Sequence, residues 1–204
     1  MISFIPVIVA LIAHSSVPEH IAADVARHWI YTDFDMGGAD VAIDNAVAAG
    51  RYAFPLYDEL LIRTLRPRKL EAYRVFSILS SVDADCSRYV SVARKMAVGD
   101  GDIVRGSAIK FLARHGSKAD IKLALTFMMT DDGTLGWACL DLLARLGGQD
   151  EVSLIGAAIV FPNSVWSDET KDYARKRLAE LEKRLANESA KPILKSPVVP
   201  MPKK

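Results

Sequence analysis

Asp102-Ile-Val-Arg-Gly-Ser-Ala-Ile-Lys-Phe-Leu-Ala-Arg-His-Gly116 and Gly133-Thr-Leu-Gly-Trp-Ala-Cys-Leu-Asp-Leu-Leu-Ala-Arg-Leu-Gly147 decide the fold, because they are one pattern written twice. Val104, Ala108, Phe111, Leu112 and Gly116 are matched by Leu135, Cys139, Leu142, Leu143 and Gly147 at a constant offset of 31 residues. Ile121 and Ala124, just beyond the first glycine, are matched by Val152 and Ile155 at the same offset. In each copy an apolar stripe at helical spacing ends on Gly and a second stripe follows, which predicts a helix, a short turn and another helix. Such a unit cannot bury its apolar stripe alone, so neighbouring units must stack and share a core. The expected fold is all-α, a short right-handed α-α superhelix of four or five antiparallel helix pairs.

Working outward toward the N-terminus, a helix over Arg68–Ser80 and a partner from about Asp85 to Val98 resemble a third, degenerate copy. It lies about 33 residues ahead, with Val75 against Ala108 and Leu79 against Leu112. Before it, Pro55 opens a stripe through Leu56, Leu60, Leu61 and Leu65 that Pro67 ends or kinks. Residues 17–50 read as irregular helices, with a break at Met36-Gly37-Gly38 and a short helix over Ala39–Ala49 closed by Gly50. Toward the C-terminus, Ser167 or Asp168 caps a long helix to about Ala186. Its stripe is narrow and its other faces alternate in sign, as expected of a helix that closes an array. The helical domain therefore covers residues 17–188, and a Pro- and Lys-rich extended tail covers 189–204.

Residues 1–15 form a third region. Ile2–Ala13 is apolar and too short for a bilayer span of about 20 residues. It fits the core of a secretory signal peptide, with Ala13 and Ser15 as small residues before a cleavage site. The basic segment expected ahead of such a core is missing. A retained apolar arm packed on the open end of the array is the other reading. The first implies export to a periplasmic or extracellular space; the second allows a cytoplasmic protein, or one that meets a membrane through the retained segment.

Over its 204 residues the chain carries a formal net charge of +1, and four lysines, Lys191, Lys195, Lys203 and Lys204, sit in the tail. Without them the balance is −3, against the strongly basic balance of a nucleic-acid binder. Two cysteines, Cys86 and Cys139, make neither a disulfide framework nor a zinc spacing. Cys139 takes the position of Ala108 and reads as a packed core thiol. No glycine-rich phosphate loop, nucleophile elbow or HExxH is present. His20, Asp24 and His28 share one helical face at i, i+4 and i+8, the one metal-like spacing in the chain and a weak candidate site. The outer two lie roughly 12 Å apart along the axis, and one straight helix rarely brings such a pair to one ion, so a solvated polar face is the simpler reading. Asp33 and Asp35 read as loop carboxylates. No cofactor is implied.

The basic cluster Arg63, Arg66, Arg68, Lys69 and Arg74 reads either as a patch for an acidic partner or as cations on a helix end and loop. A groove lined by the second helices, around Lys118, Lys122, Thr126 and Ser153, is the other candidate binding surface.

Asp102-Ile-Val-Arg-Gly-Ser-Ala, Phe111-Leu112 and Gly116 resemble the HEAT-like repeats of the phycobilin-lyase type. The second copy keeps Asp131-Asp132-Gly133, Leu135, Cys139, Leu142-Leu143 and Gly147 but places Gly136 where Arg105 stands. The resemblance implies an α-solenoid and leaves several functions open, among them binding scaffolds, chromophore lyases, DNA glycosylases and di-iron hydroxylases. The His-Glu pairs of the hydroxylases are missing, and His115 holds a stripe position equivalent to Leu146. The residues favour a non-catalytic scaffold or adaptor that binds another protein. A lyase-like or other enzyme, or a membrane-tethered subunit, is the alternative.

Overall fold

The computed structural model describes residues 18–31, 39–64, 68–99, 101–130, 132–162 and 164–190, without the side chains of residues 39, 40 and 102. The apolar segment 1–15, Asp33, Asp35, Arg66 and most of the tail lie outside them. The described chain is all-helical, with no strand among these residues. The helices run α1 Glu19–Tyr31, α2 Ala39–Ala49, α3 Phe54–Tyr57, α4 Lys69–Leu79, α5 Val90–Val98, α6 Asp102–His115, α7 Ile121–Phe127, α8 Gly133–Leu146, α9 Gln149–Val160 and α10 Asp168–Ser189.

The twin stretches become α6 and α8, each of 14 residues, at the 31-residue offset. The same positions are buried in both: Val104, Ala108, Ile109, Phe111 and Leu112 in one, Leu135, Cys139, Leu140, Leu142 and Leu143 in the other. These two helices pack against each other, and α6 also packs on α4 and α5. In α4 the buried set Val75, Phe76, Ile78 and Leu79 precedes that of α6 by 33 residues. Each wholly buried Leu, Ile or Phe contributes roughly 1.5–3 kcal/mol of transfer free energy. One contiguous apolar core runs from Ala22 in α1 to Leu181 in α10, with the Phe76 and Phe111 rings 5.4 Å apart at its centre.

Why α6 and α8 stop is visible in their last turns. The Gly116 N–H donates to Leu112 O and the Gly147 N–H to Leu143 O, both at 2.8 Å. A Cβ at either glycine would stand 2.5 Å from that same carbonyl oxygen. Glycine is thus required for close approach, since φ is −82° and −66° and the left-handed region is not used. Each stop leads straight into an N-terminal cap. Asp120 Oδ2 accepts from the Ser117 N–H at 2.8 Å, and Glu151 Oε2 accepts from the Gly148 N–H at 2.6 Å.

The segment after α2 departs from one continuous stripe. Gly50, at φ +51°, turns the chain into a 3₁₀ run Gly50–Ala53, which passes into the single turn of α3 and then a π-helical stretch Asp58–Arg63. Pro55 sits in the first turn of α3 as expected, where its missing N–H costs nothing. The wider π turn, however, is written in no periodicity of the sequence. Ser167 caps α10, accepting from the Thr170 N–H at 3.2 Å, and that helix runs three residues past Ala186.

Candidate functional site

Four arginines and a histidine are committed to helix ends. An α-helix leaves its last carbonyls without partners and carries a partial negative charge there, so a guanidinium suits the position on both counts. Arg74 of α4 donates to Trp29 O at 3.0 Å and Ile30 O at 2.9 Å, closing α1, while Trp29 Nε1 returns a bond to Arg74 O at 3.3 Å. Arg105 of α6 donates to Ala97 O at 3.2 Å and Gly99 O at 2.8 Å, closing α5, and lies over the Phe127 ring at 4.4 Å. Arg114 reaches Ser80 O at 3.3 Å, and His115 Nε2 lies 3.1 Å from Leu79 O, at the end of α4. Arg184 of α10 donates to Ala144 O at 3.3 Å and to Gly147 O, closing α8.

The one tie of arginine to a buried acid among the described residues lies elsewhere. Arg94 of α5 grips Asp120 through Nε–Oδ1 at 2.6 Å and Nη2–Oδ2 at 2.9 Å. Asp120 is 3% exposed. Burial would raise its carboxyl, but Arg94 and the Ser117 N–H outweigh that and hold it below the ordinary carboxylate range. The second copy keeps the acid as Glu151 and has Leu125 and Gly136 where the first has Arg94 and Arg105.

Two further polar groupings were not anticipated. Around the π segment, Tyr57 is wholly buried, Tyr89 donates to Phe54 O at 3.4 Å, and Arg88 pairs with Asp58 at 3.0 Å. Among the described residues, Tyr57 OH and Asp58 Oδ1 have no hydrogen-bond partner. Burial pushes the Cys86 thiol up to about 11 and raises both tyrosines. A thiol so far from its thiolate, in a closed apolar setting, is a poor nucleophile. Where α10 meets α8, the Trp137 and Tyr173 rings stack at 5.0 Å, Arg177 covers Tyr173 at 4.7 Å, and Asp141 accepts from Tyr173 OH at 2.7 Å. Burial pushes the Cys139 thiol up to about 12, in keeping with a packed core thiol.

The candidates singled out in sequence fall in separate places. His20, Asp24 and His28 do share the exposed face of α1, where Asp24 is paired with Arg27 at 2.9 Å. Among the described residues, no three His, Cys, Asp or Glu side chains gather to hold a metal ion. The basic cluster divides. Arg74 is spent on α1, while Arg63, Arg68 and Lys69 are exposed, with Arg68 beside Glu71 at 3.6 Å. Arg68 and Lys69 stand at the start of α4, not at a helix C-terminus. Lys118, in the turn before α7, and Lys122, within α7, are exposed, and the Thr126 and Ser153 hydroxyls donate back to Lys122 O and Gln149 O of their own helices.

The helices that follow α4, α6 and α8 are shallowly buried. In α5 only Ala93 and Ala97 are buried, in α7 only Ala124, and in α9 only Ile155 and Ala158. Their other apolar residues, among them Val92, Met96, Leu123, Phe127 and Ile159, are only partly buried against the core, unlike those of α6 and α8. Such a surface offers shape, lysine charge and apolar contact. Among those residues no helix is long and apolar enough to cross a membrane. Comparison of the chain with family models, with curated proteins and with solved structures finds no match in any of the three.

Proposed function

We propose that this chain is a non-catalytic adaptor, a short right-handed superhelix of HEAT-like antiparallel helix pairs whose second helices hold another protein. The observation that carries the reading is the shallow burial of α5, α7 and α9 against the deep burial of α6 and α8. An element that gives the core only one or two fully buried residues, and leaves one side of its length accessible, is suited to being covered by something else. The matched helix lengths, the twin Gly stops and the caps that follow them support a stacked array as the frame. The groove around Lys118, Lys122, Thr126 and Ser153 is the principal surface, and Arg63, Arg68 and Lys69 form a second basic edge.

Affinity capture from the native host with the full chain as bait tests this. A bound protein lost from Lys118→Glu/Lys122→Glu and retained by Arg27→Glu supports the groove. A partner retained by the lysine variant, and also by Arg63→Glu/Arg68→Glu/Lys69→Glu, would refute it.

A further inference from the structure

Arg105 of α6 closes α5 through Ala97 O and Gly99 O, and the second copy has no arginine to do the same for α7. The counterpart of Arg105 is Gly136 of α8, and the counterparts of Ala97 and Gly99 are Met128 and Thr130 at the end of α7. The second helices keep this register, since the 3₁₀ turns Ser87–Tyr89 and Lys118–Asp120, and the first residues of α5 and α7, Val90 and Ile121, also lie 31 apart. A Cβ at Gly136 would stand 3.9 Å from Met128 O and 3.7 Å from Thr130 Cγ2, so this position faces the end of α7 and offers it no donor. Trp166 supplies one. Its Nε1 donates to Met128 O at 2.7 Å, and the residue is 3% exposed. Its own N–H donates to Ser164 Oγ at 3.2 Å, and Ser167, the cap of α10, follows it directly.

We propose that Trp166 stands in for the missing arginine, and that residues 164–167 thereby form a strap coupling the end of α7 to the docking of α10. Arg105 sits inside a deeply buried helix, so its closure of α5 is as firm as α6 itself. Trp166 sits outside any helix, one residue ahead of the α10 cap. Closure of α7 therefore depends on where α10 starts, and the start of α10 depends on that closure. The last helix has few other anchors, because only Thr170, Ala174 and Leu181 are buried, and the Thr170 N–H is itself held by Ser167. A buried carbonyl stripped of its donor is costly, and stretches with few buried contacts open first. Loss of the indole bond thus frees two places at once, the last turn of α7 and the first turns of α10. The strap uses none of Lys118, Lys122, Thr126 or Ser153, so it and the adaptor groove stand or fall separately.

Moving the donor from one position to the other tests this in the full chain. Trp166→Ala should lower the thermal midpoint by at least about 6 °C. Gly136→Arg added to that variant should return at least about 3 °C, because the guanidinium reaches Met128 O through the space the indole leaves. In the parent chain the same Gly136→Arg should lower the midpoint, since two side chains then compete for one site. Gly136→Met supplies length and helix propensity without a donor, and should rescue Trp166→Ala less than half as well. Hydrogen exchange separates the closure from the strap. Trp166→Ala should speed exchange at least about 10-fold over both residues 124–130 and residues 168–174, and Gly136→Arg should restore protection to the first stretch alone. An arginine that rescues no better than methionine, or that raises the midpoint of the parent chain, overturns the substitution. Residues 168–174 left unchanged by Trp166→Ala, or protected again by the arginine, overturn the strap. Should Trp166→Ala not fold alone, folding recovered by Gly136→Arg is the same supporting result, and a double variant that stays unfolded overturns the proposal.

Discussion

Asp120 shows how much one side chain settles. It caps the turn after α6, fills a buried position and receives both prongs of Arg94. Asp120→Ala removes the cap and leaves a guanidinium without its acid. Because Arg94 is 45% exposed and can turn to water, we expect a loss of about 2 kcal/mol, below the roughly 3–5 of a wholly buried pair. Urea unfolding of the variant measures it, and a loss under about 0.5 kcal/mol would show the pair to be ornamental. His115 makes a second prediction. Burial, with Arg114 and Arg145 nearby, holds its ring below the ordinary 6.5, against the opposing pull of Leu79 O. The neutral ring therefore stabilises the fold fully above pH 6.5, and that contribution is lost as pH falls below 6.5 toward the folded value. His115→Leu, which copies Leu146, should flatten the stability profile there by at most about 1.4 kcal/mol per pH unit. Unfolding midpoints at about pH 7.5 and about pH 5 compare the two, and equal slopes would contradict a buried neutral ring.

At the scale of the element, glycine means different things at different helix positions. Gly116→Ala places a methyl 2.5 Å from Leu112 O and 2.7 Å from Asp120 Oδ2, both fixed groups, so about 2 kcal/mol of stability should be lost. Gly156 lies inside α9, where an added methyl group would meet nothing within 4 Å, so Gly156→Ala should gain about 0.5–1 kcal/mol through helix propensity. Thermal unfolding of the two variants should move in opposite directions; movement in the same direction would contradict the geometry. Positions like these explain what was legible in sequence. The lengths of α6 and α8, their glycine stops, the Ser167 cap and the buried Cys139 all follow from local pattern. The π turn at Asp58–Arg63 follows from no such pattern, because it depends on how Tyr57 and Tyr89 fit the core. Arg74 and Arg105 were equally opaque. A charged residue on a helix gives no local sign that its target is a carbonyl 44 residues away, as Ile30 O is from Arg74.

On the scale of the molecule, the helices are joined by an apolar core and by cationic side chains set on helix ends. The last helix is the most exposed to this logic, because only Thr170, Ala174 and Leu181 of α10 are buried. Arg184 ties it to Ala144 O and Gly147 O. Arg184→Ala should therefore loosen the C-terminal half of α10, and trypsin should cut at Lys176, Arg177 and Lys183 several-fold faster than in the parent chain. Unchanged cleavage would mean that the leucine stripe alone holds the helix. The candidate surfaces were partly legible at this scale. Lys118 and Lys122 were foreseeable as exposed second-helix residues, whereas the exposure of Leu154 beside the buried Ile155 shows only in the folded chain.

The carbonyl clasps also carry a direction. Every one reaches back from a residue made later than the helix it closes: 44 or 45 positions later for Arg74, 34 for Arg114, 36 for His115, 37 or 40 for Arg184, and 6 or 8 for Arg105. On the ribosome, the ends of α1, α4 and α8 must wait with bare carbonyls until the following stretch has emerged. Nascent chains halted just short of Arg74 or Arg184 would hold their newest helix unlatched, so synthesis itself sets the order in which the joints close.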